Sequence, residues 1–202
     1  MQASPRKEAL RNNVVQAAEA LVSADGLGAL KARDIASRAG CSLGAIYTVF
    51  KDIDALILAV NERTLMQLAD QLSTFEVQQK ADKVDGERWL VGLSHVYLNF
   101  AARSKMLWLA LFEHRMSVGS ELPQEMAEKH QMLFDFIEQP LAILKIGKSP
   151  EERQLLARSL FSAVHGMVVL GLEKKLASLS LEALKEQIEE IVSAAVRGLV
   201  TR

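Results

Sequence analysis

Residues 41–52 read CSLGAIYTVFKD. Leu43, Gly44, Ala45 and Thr48 are small or short enough to let a backbone come close to another surface. Tyr47 adds a ring and a hydroxyl that can touch a base or a phosphate. The apolar face of such a helix is thin, with only Ile46 and Phe50 at i and i+4. The chemistry these types support is close, non-covalent recognition. No catalytic arrangement stands out among them.

Such residues need elements that aim them. Residues 31–39 form a short helix with Ile35 and Ala36 facing inward, and Gly40 stops it. Ser42 can cap the next helix, 43–50, by accepting from a free backbone N–H. The spacing is that of a helix-turn-helix, whose second helix enters the DNA major groove with its N-terminal half near the base edges. A plain three-helix packing unit has the same spacing. Upstream, residues 6–24 place Leu10, Val14, Ala17, Ala18 and Leu21 on one stripe, with Asp25-Gly26 as a stop. Downstream, Asp52 can cap a helix running from 54 to about 75. Further helices are expected at 85–104, 105–116, 124–146, 150–177 and 180–200. Pro140 is expected to kink or split the 124–146 helix. Ser149-Pro150-Glu151-Glu152 is a helix start of cap, proline and acids. The chain therefore reads as all-α, with about nine helices.

The 202 residues are 50% hydrophobic and 24% charged, enough to build a buried core. Aromatics are 5%, which favours helices over sheets. Residues 1–51 carry seven Lys/Arg against four Asp/Glu, and the rest of the chain carries 17 against 21, so a mild positive charge sits first. The N-terminus has no signal-like apolar stretch, no run approaches ~18 apolar residues, and Cys41 is the one cysteine. These features point to the cytoplasm and away from membranes and disulfide frameworks. His95, His114, His130 and His165 are scattered without metal-ligand spacing, so neither metal nor cofactor is expected. Cys41, in the turn, reads as packing.

Residues 10–56 resemble the DNA-binding domain of the tetracycline-repressor (TetR) family of bacterial transcription regulators. The matching residues are Gly26, Arg33-Asp34-Ile35-Ala36, Ala39-Gly40, Ser42, Gly44-Ala45-Ile46-Tyr47, Phe50 and Asp54-Ala55-Leu56. The stretch Phe161–Glu173, FSAVHGMVVLGLE, resembles a Trp-His-Gly type of C-terminal domain in that family, with Phe161 in place of the Trp. The resemblance implies a helix-turn-helix domain over 1–53 and a ligand-binding and dimerisation bundle over 54–202. It implies a non-enzymatic, ligand-responsive regulator, a repressor released from a palindromic operator by a small hydrophobic effector. Arg33 would reach DNA from the first helix of the motif. Leu43, Gly44, Ala45 and Thr48 would face base edges, and Tyr47 and Lys51 would meet phosphates. The free N–H groups at 53–55 would offer another phosphate site. Three positions depart from the family pattern. Lys31 replaces a Ser or Thr cap and adds a cation, Val49 replaces a frequent His or aromatic, and Ile53 replaces a common Lys.

By the same resemblance the last two helices pair with those of a second subunit. The interface candidates are Leu160, Val164, Val168, Leu184, Ile188, Ile191 and Ala195; the alternative is that this stripe packs within one chain. Ligand-pocket candidates are Trp89, Phe100, Trp108, Phe112, Met116, Phe136 and His165, with His95 and Met132 beside them. Each can also be ordinary core. A helical ligand carrier, or an interaction module without DNA binding, remains the competing function class.

Overall fold

A computed structural model describes residues 4–115, 123–173 and 179–201. Among these residues there are nine α-helices, one 3-10 turn and no strand. The helices are α1 (Pro5–Asp25), α2 (Ala32–Ala39), α3 (Leu43–Val49), α4 (Ile53–Asp82), α5 (Gly86–Arg103), α6 (Lys105–Glu113), α7 (Gln124–Ile143), α8 (Pro150–Leu172) and α9 (Leu181–Val200). They form two compact units, Met1–Gln67 with Ser104–Met126, and Leu68–Arg103 with Ala127–Arg202. This packing division differs from the expected boundary at 53/54. It falls inside α4, because α6 returns to pack on α1.

The first unit is built on one apolar cluster. Val14, Ala18 and Val22 of α1 meet Ile35 of α2, Ile46 of α3, Phe50, Leu56 and Val60 of α4, and Leu107 and Ala110 of α6. Along α1, α4 and α6 these positions recur at three and four, so each of these helices contributes a buried stripe. Polar groups fix the register around this cluster. The Asn61 amide donates to the Ala110 carbonyl at 3.2 Å. Arg63 and Gln67 both reach the Glu19 carboxylate, at 3.1 and 3.0 Å. Trp108 is fully buried and meets Phe112 edge-on, with ring centroids 5.6 Å apart.

In the second unit α5 packs against α8 and α9, and α8 against α9. The stripe Leu184, Ile188, Val192 and Val196 of α9 is buried inside the chain. A Cβ on Gly171 would come within 2.5 Å of the Leu184 side chain, so a glycine there lets α8 and α9 approach closely. Ser149 accepts from the Glu152 N–H at 3.2 Å and starts α8 with Pro150 in its first turn, as the sequence predicts.

Three expectations change. The fourth helix runs on to Asp82 rather than ending near 75. Pro140 does not split α7, which continues through it to Ile143. It stands in the last turn, where a missing N–H removes one bond and little helix remains to disrupt. And α8 is long and apolar enough, by length and composition only, to cross a membrane, where no such run is expected from the sequence. Arg158 interrupts it, and its inner face packs on α5 and α9.

Candidate nucleic-acid interface and effector cavity

The turn between α2 and α3 is set locally. Gly40 adopts the left-handed conformation, φ 64° and ψ 35°, which costs a residue without a Cβ little. Its neighbour Cys41 returns an N–H to the Ala36 carbonyl at 3.0 Å, closing the helix end. Ser42 then accepts from the Ala45 N–H at 3.3 Å. Ile46 and Phe50 anchor α3 from beneath, with the Arg11 guanidinium 5.1 Å over the Phe50 ring. Removing either cap loosens this geometry. Ser42→Ala is expected to lower the stability by about 1 kcal/mol, read as a shift in the urea midpoint with an unchanged slope.

The anchored helix turns its other face to solvent. Lys31, Arg33, Ser42, Leu43, Gly44, Tyr47, Thr48 and Lys51 are all exposed, and Ala45 is half-buried. Tyr47 keeps 50% of its surface and Leu43 41%, too much for residues meant to pack within the chain. No atom lies within 4 Å of a Cβ built on Gly44, so nothing inside the chain requires a glycine there. The Thr48 hydroxyl donates to the Ala45 carbonyl at 2.7 Å, which leaves its methyl and oxygen lone pairs for an outside partner.

The departures also find places. Lys31 holds the cap position of α2 without a side-chain cap bond. Val49 and Ile53 pack against the first unit's core, so both serve folding. The α4 N-terminus is less open to phosphate than its position suggests. The Asp52 carboxylate accepts from the Ala55 N–H at 2.7 Å, placing a negative charge there with Lys51 3.6 Å away.

The second unit holds a cavity of about 80 Å³. Its wall is Leu68 and Leu72 of α4, Leu90, Leu93, Ser94 and Tyr97 of α5, Leu133, Phe136 and Ile137 of α7, Leu160, Phe161 and Val164 of α8, and Val192 of α9. Of the pocket candidates, Phe136 lines it. Trp89 and Phe100 are buried elsewhere in the second unit, and Trp108 and Phe112 belong to the first. Met116 lies outside the described residues. His165 stands behind the wall, its Nδ1 2.7 Å from the Tyr97 hydroxyl and its ring stacked on Phe161. Residue type cannot say which way an aromatic points, and leucine is the commonest wall residue. The i, i+3, i+4, i+7 run Leu90, Leu93, Ser94, Tyr97 was the signal available in the sequence.

The interface candidates divide by burial. Val164, Val168, Leu184 and Ile188 are buried within the chain, where they fill the unit's own core, and Leu160 lines the cavity. Ile191 faces outward and Ala195 is half-buried; Leu155 and Leu170 of α8 and Leu181 of α9 are also exposed.

Burial lowers the pKa of His95, His130 and His165 below their ordinary 6.5, with Lys185 adding to the effect at His95. The folded state thus favours neutral imidazoles. Below about pH 6.5 the unfolded chain binds more protons, so stability is full above that value and falls as the pH drops through it. Urea midpoints at pH 7.5 and 5.5 are expected to differ in that direction, and His→Gln substitution at these positions should flatten the difference.

An exposed, anchored second helix of a helix-turn-helix, followed in the chain by a helical bundle, is the architecture of a DNA-binding regulator. Comparison agrees. The family model for bacterial regulatory proteins of the tetR family matches residues 14–60, and that for the tetracyclin repressor-like C-terminal domain matches residues 90–198. The chain belongs to the TetR family of transcription regulators. No curated protein matches it. Solved structures share its fold at low identity. A protein of unknown function from Rhodococcus sp. RHA1 is 22% identical with a TM-score of 0.73, covering 95% of each chain. The TetR-family regulator SCO4454 from Streptomyces coelicolor is 15% identical with a TM-score of 0.69, over 96% of this chain and 97% of that one. The fatty acid degradation regulator FadR from Bacillus halodurans is 17% identical with a TM-score of 0.67, over 98% and 99%.

Proposed function

We propose that this chain is a homodimeric repressor, acting in the cytoplasm, that leaves a palindromic operator when a small apolar effector enters the cavity of the second unit. The observation that carries the DNA half is α3: a helix held from below by Ile46 and Phe50, whose outward face is small, hydroxylated and exposed. Leu43, Gly44, Ala45 and Thr48 meet base edges. Tyr47, Arg33, Lys31 and Lys51 meet the backbone, where they position the helix and make binding salt-dependent. In functional terms the division is DNA reading by residues 1–53 and effector response by 54–202.

The effector half rests on the apolar wall. One helix carries the coupling. α4 contributes Leu56 and Val60 to the core beneath α3, and Leu68 and Leu72 to the cavity wall. An effector that prefers a displaced α4 shifts the dimer toward a spacing that no longer fits both half-sites. The dimer is assigned to the outward apolar face of α8 and α9, with Leu155, Leu170, Leu181 and Ile191 at its centre.

Selection from random duplex DNA at two salt concentrations tests this reading. The expected result is a two-fold symmetric site, weakened by salt and lost with Tyr47→Ala while the variant melts as the parent does. Enrichment of no sequence at either salt, with or without apolar additives, leaves the carrier or interaction-module reading in its place.

A further inference from the structure

We propose that the effector is electrically neutral and mostly hydrocarbon, with at most one hydrogen-bonding group. This rests on the effector reading above and narrows it to a chemical class. Among the described residues, the cavity wall contains no Lys, Arg, Asp or Glu. Its polar residues are two hydroxyls on one turn of α5. Ser94 donates to the Val91 carbonyl at 2.6 Å, and Tyr97 shares a hydrogen with His165 Nδ1 at 2.7 Å.

A carboxylate or ammonium in this space would shed its water and meet no opposite charge. An alcohol, ester or ketone sheds far less, and one hydroxyl in the wall can replace what it loses. Two basic residues of α8 do not repair the deficit. His165 lies behind Tyr97, and burial lowers its pKa, so it is neutral near pH 7 and supplies no cation. Arg158 of α8 is exposed, with its guanidinium over the Phe134 ring and bonded to the Gln131 side chain at 3.1 Å. Neither Phe134 nor Gln131 is a wall residue. The chain thus separates neutral lipids, alcohols and hydrocarbons from the acids and amines of the same length.

Three probes of one chain length decide it: 1-octanol, octanoate and octylammonium, each titrated calorimetrically into the full-length protein at pH 7.5, with melting followed in parallel. Octanol is expected to bind at least about tenfold more tightly than either ion. Val164→Phe, which fills the cavity, is expected to abolish octanol binding; if that variant does not fold, Leu133→Phe replaces it. Octanoate or octylammonium binding as tightly as octanol overturns the neutral class and leaves an apolar-effector regulator standing. Octanol binding unchanged in the filled variant overturns the assignment to this cavity. Binding of none of the three overturns the inference and the effector half of the proposed function together, while the duplex selection reports separately on the DNA half.

Discussion

Gly44→Ala will make the protein more stable and a poorer DNA binder at once. Position 44 lies in the first turn of α3, and a Cβ built there meets no atom within 4 Å. Adding a methyl therefore costs nothing inside the chain. It removes the entropy that glycine loses on entering a helix, a gain of roughly 0.5–1 kcal/mol. Against DNA the same methyl stands between the helix backbone and the base edges. Forcing one extra carbon into a fitted contact costs about 1–3 kcal/mol, and a two-fold site applies that cost twice. Each 1.4 kcal/mol is about tenfold in affinity, so operator binding should fall on the order of a hundredfold while the melting temperature rises. Leucine at this position should bind no more tightly than alanine. Gel-shift titration and thermal denaturation on the same preparations check both signs. An operator affinity unchanged within a factor of about two would show that the N-terminal half of α3 does not face the groove.

Trp108→Ala is expected to have the largest effect on folding and none that is specific to the effector. Trp108 is fully buried, meets Phe112 edge-on, and belongs to the first unit rather than the cavity. Truncating a buried tryptophan removes transfer energy and leaves a void, about 3–5 kcal/mol together. Domains of this kind are stable by about 5–15 kcal/mol, so the variant should be marginal or unfolded at 37 °C. Denaturant titration measures the loss directly. A variant that keeps its stability within about 1 kcal/mol but changes effector affinity would return Trp108 to a pocket role.

Local signals explain what the sequence revealed and what it did not. Gly40, Ser42, Asp52 and the Ser149-Pro150 pair act within three or four residues, and each sits where its backbone chemistry requires. Ile46 and Phe50 were identifiable as anchors for the same reason, because a short helix has few apolar residues to choose among. The cavity and the outward apolar face of α8 and α9 depend on direction instead. α9 carries apolar residues on more than one face, so its sequence did not reveal that Leu184 and Ile188 turn inward while Ile191 turns outward. Trp108 and Phe112 had the bulk of pocket residues, yet α6 folds back on α1 and takes them into the first unit. That return is a long-range choice with no mark in the local pattern. Val49 and Ile53, which depart from the family pattern, pack against the first unit's core.

The size of the cavity has a kinetic consequence. About 80 Å³ is less room than the roughly 150 Å³ that holds a benzene in an apolar protein cavity. An eight-carbon ligand therefore cannot enter the space as it stands. To hold it, the side chains of α5, α7 and α8 that line the space must yield. Association should be far slower than diffusion allows and should level off as ligand concentration rises, with the plateau giving the rate of wall opening. Departure must wait for the same event, so occupancy should persist well after the free ligand has gone.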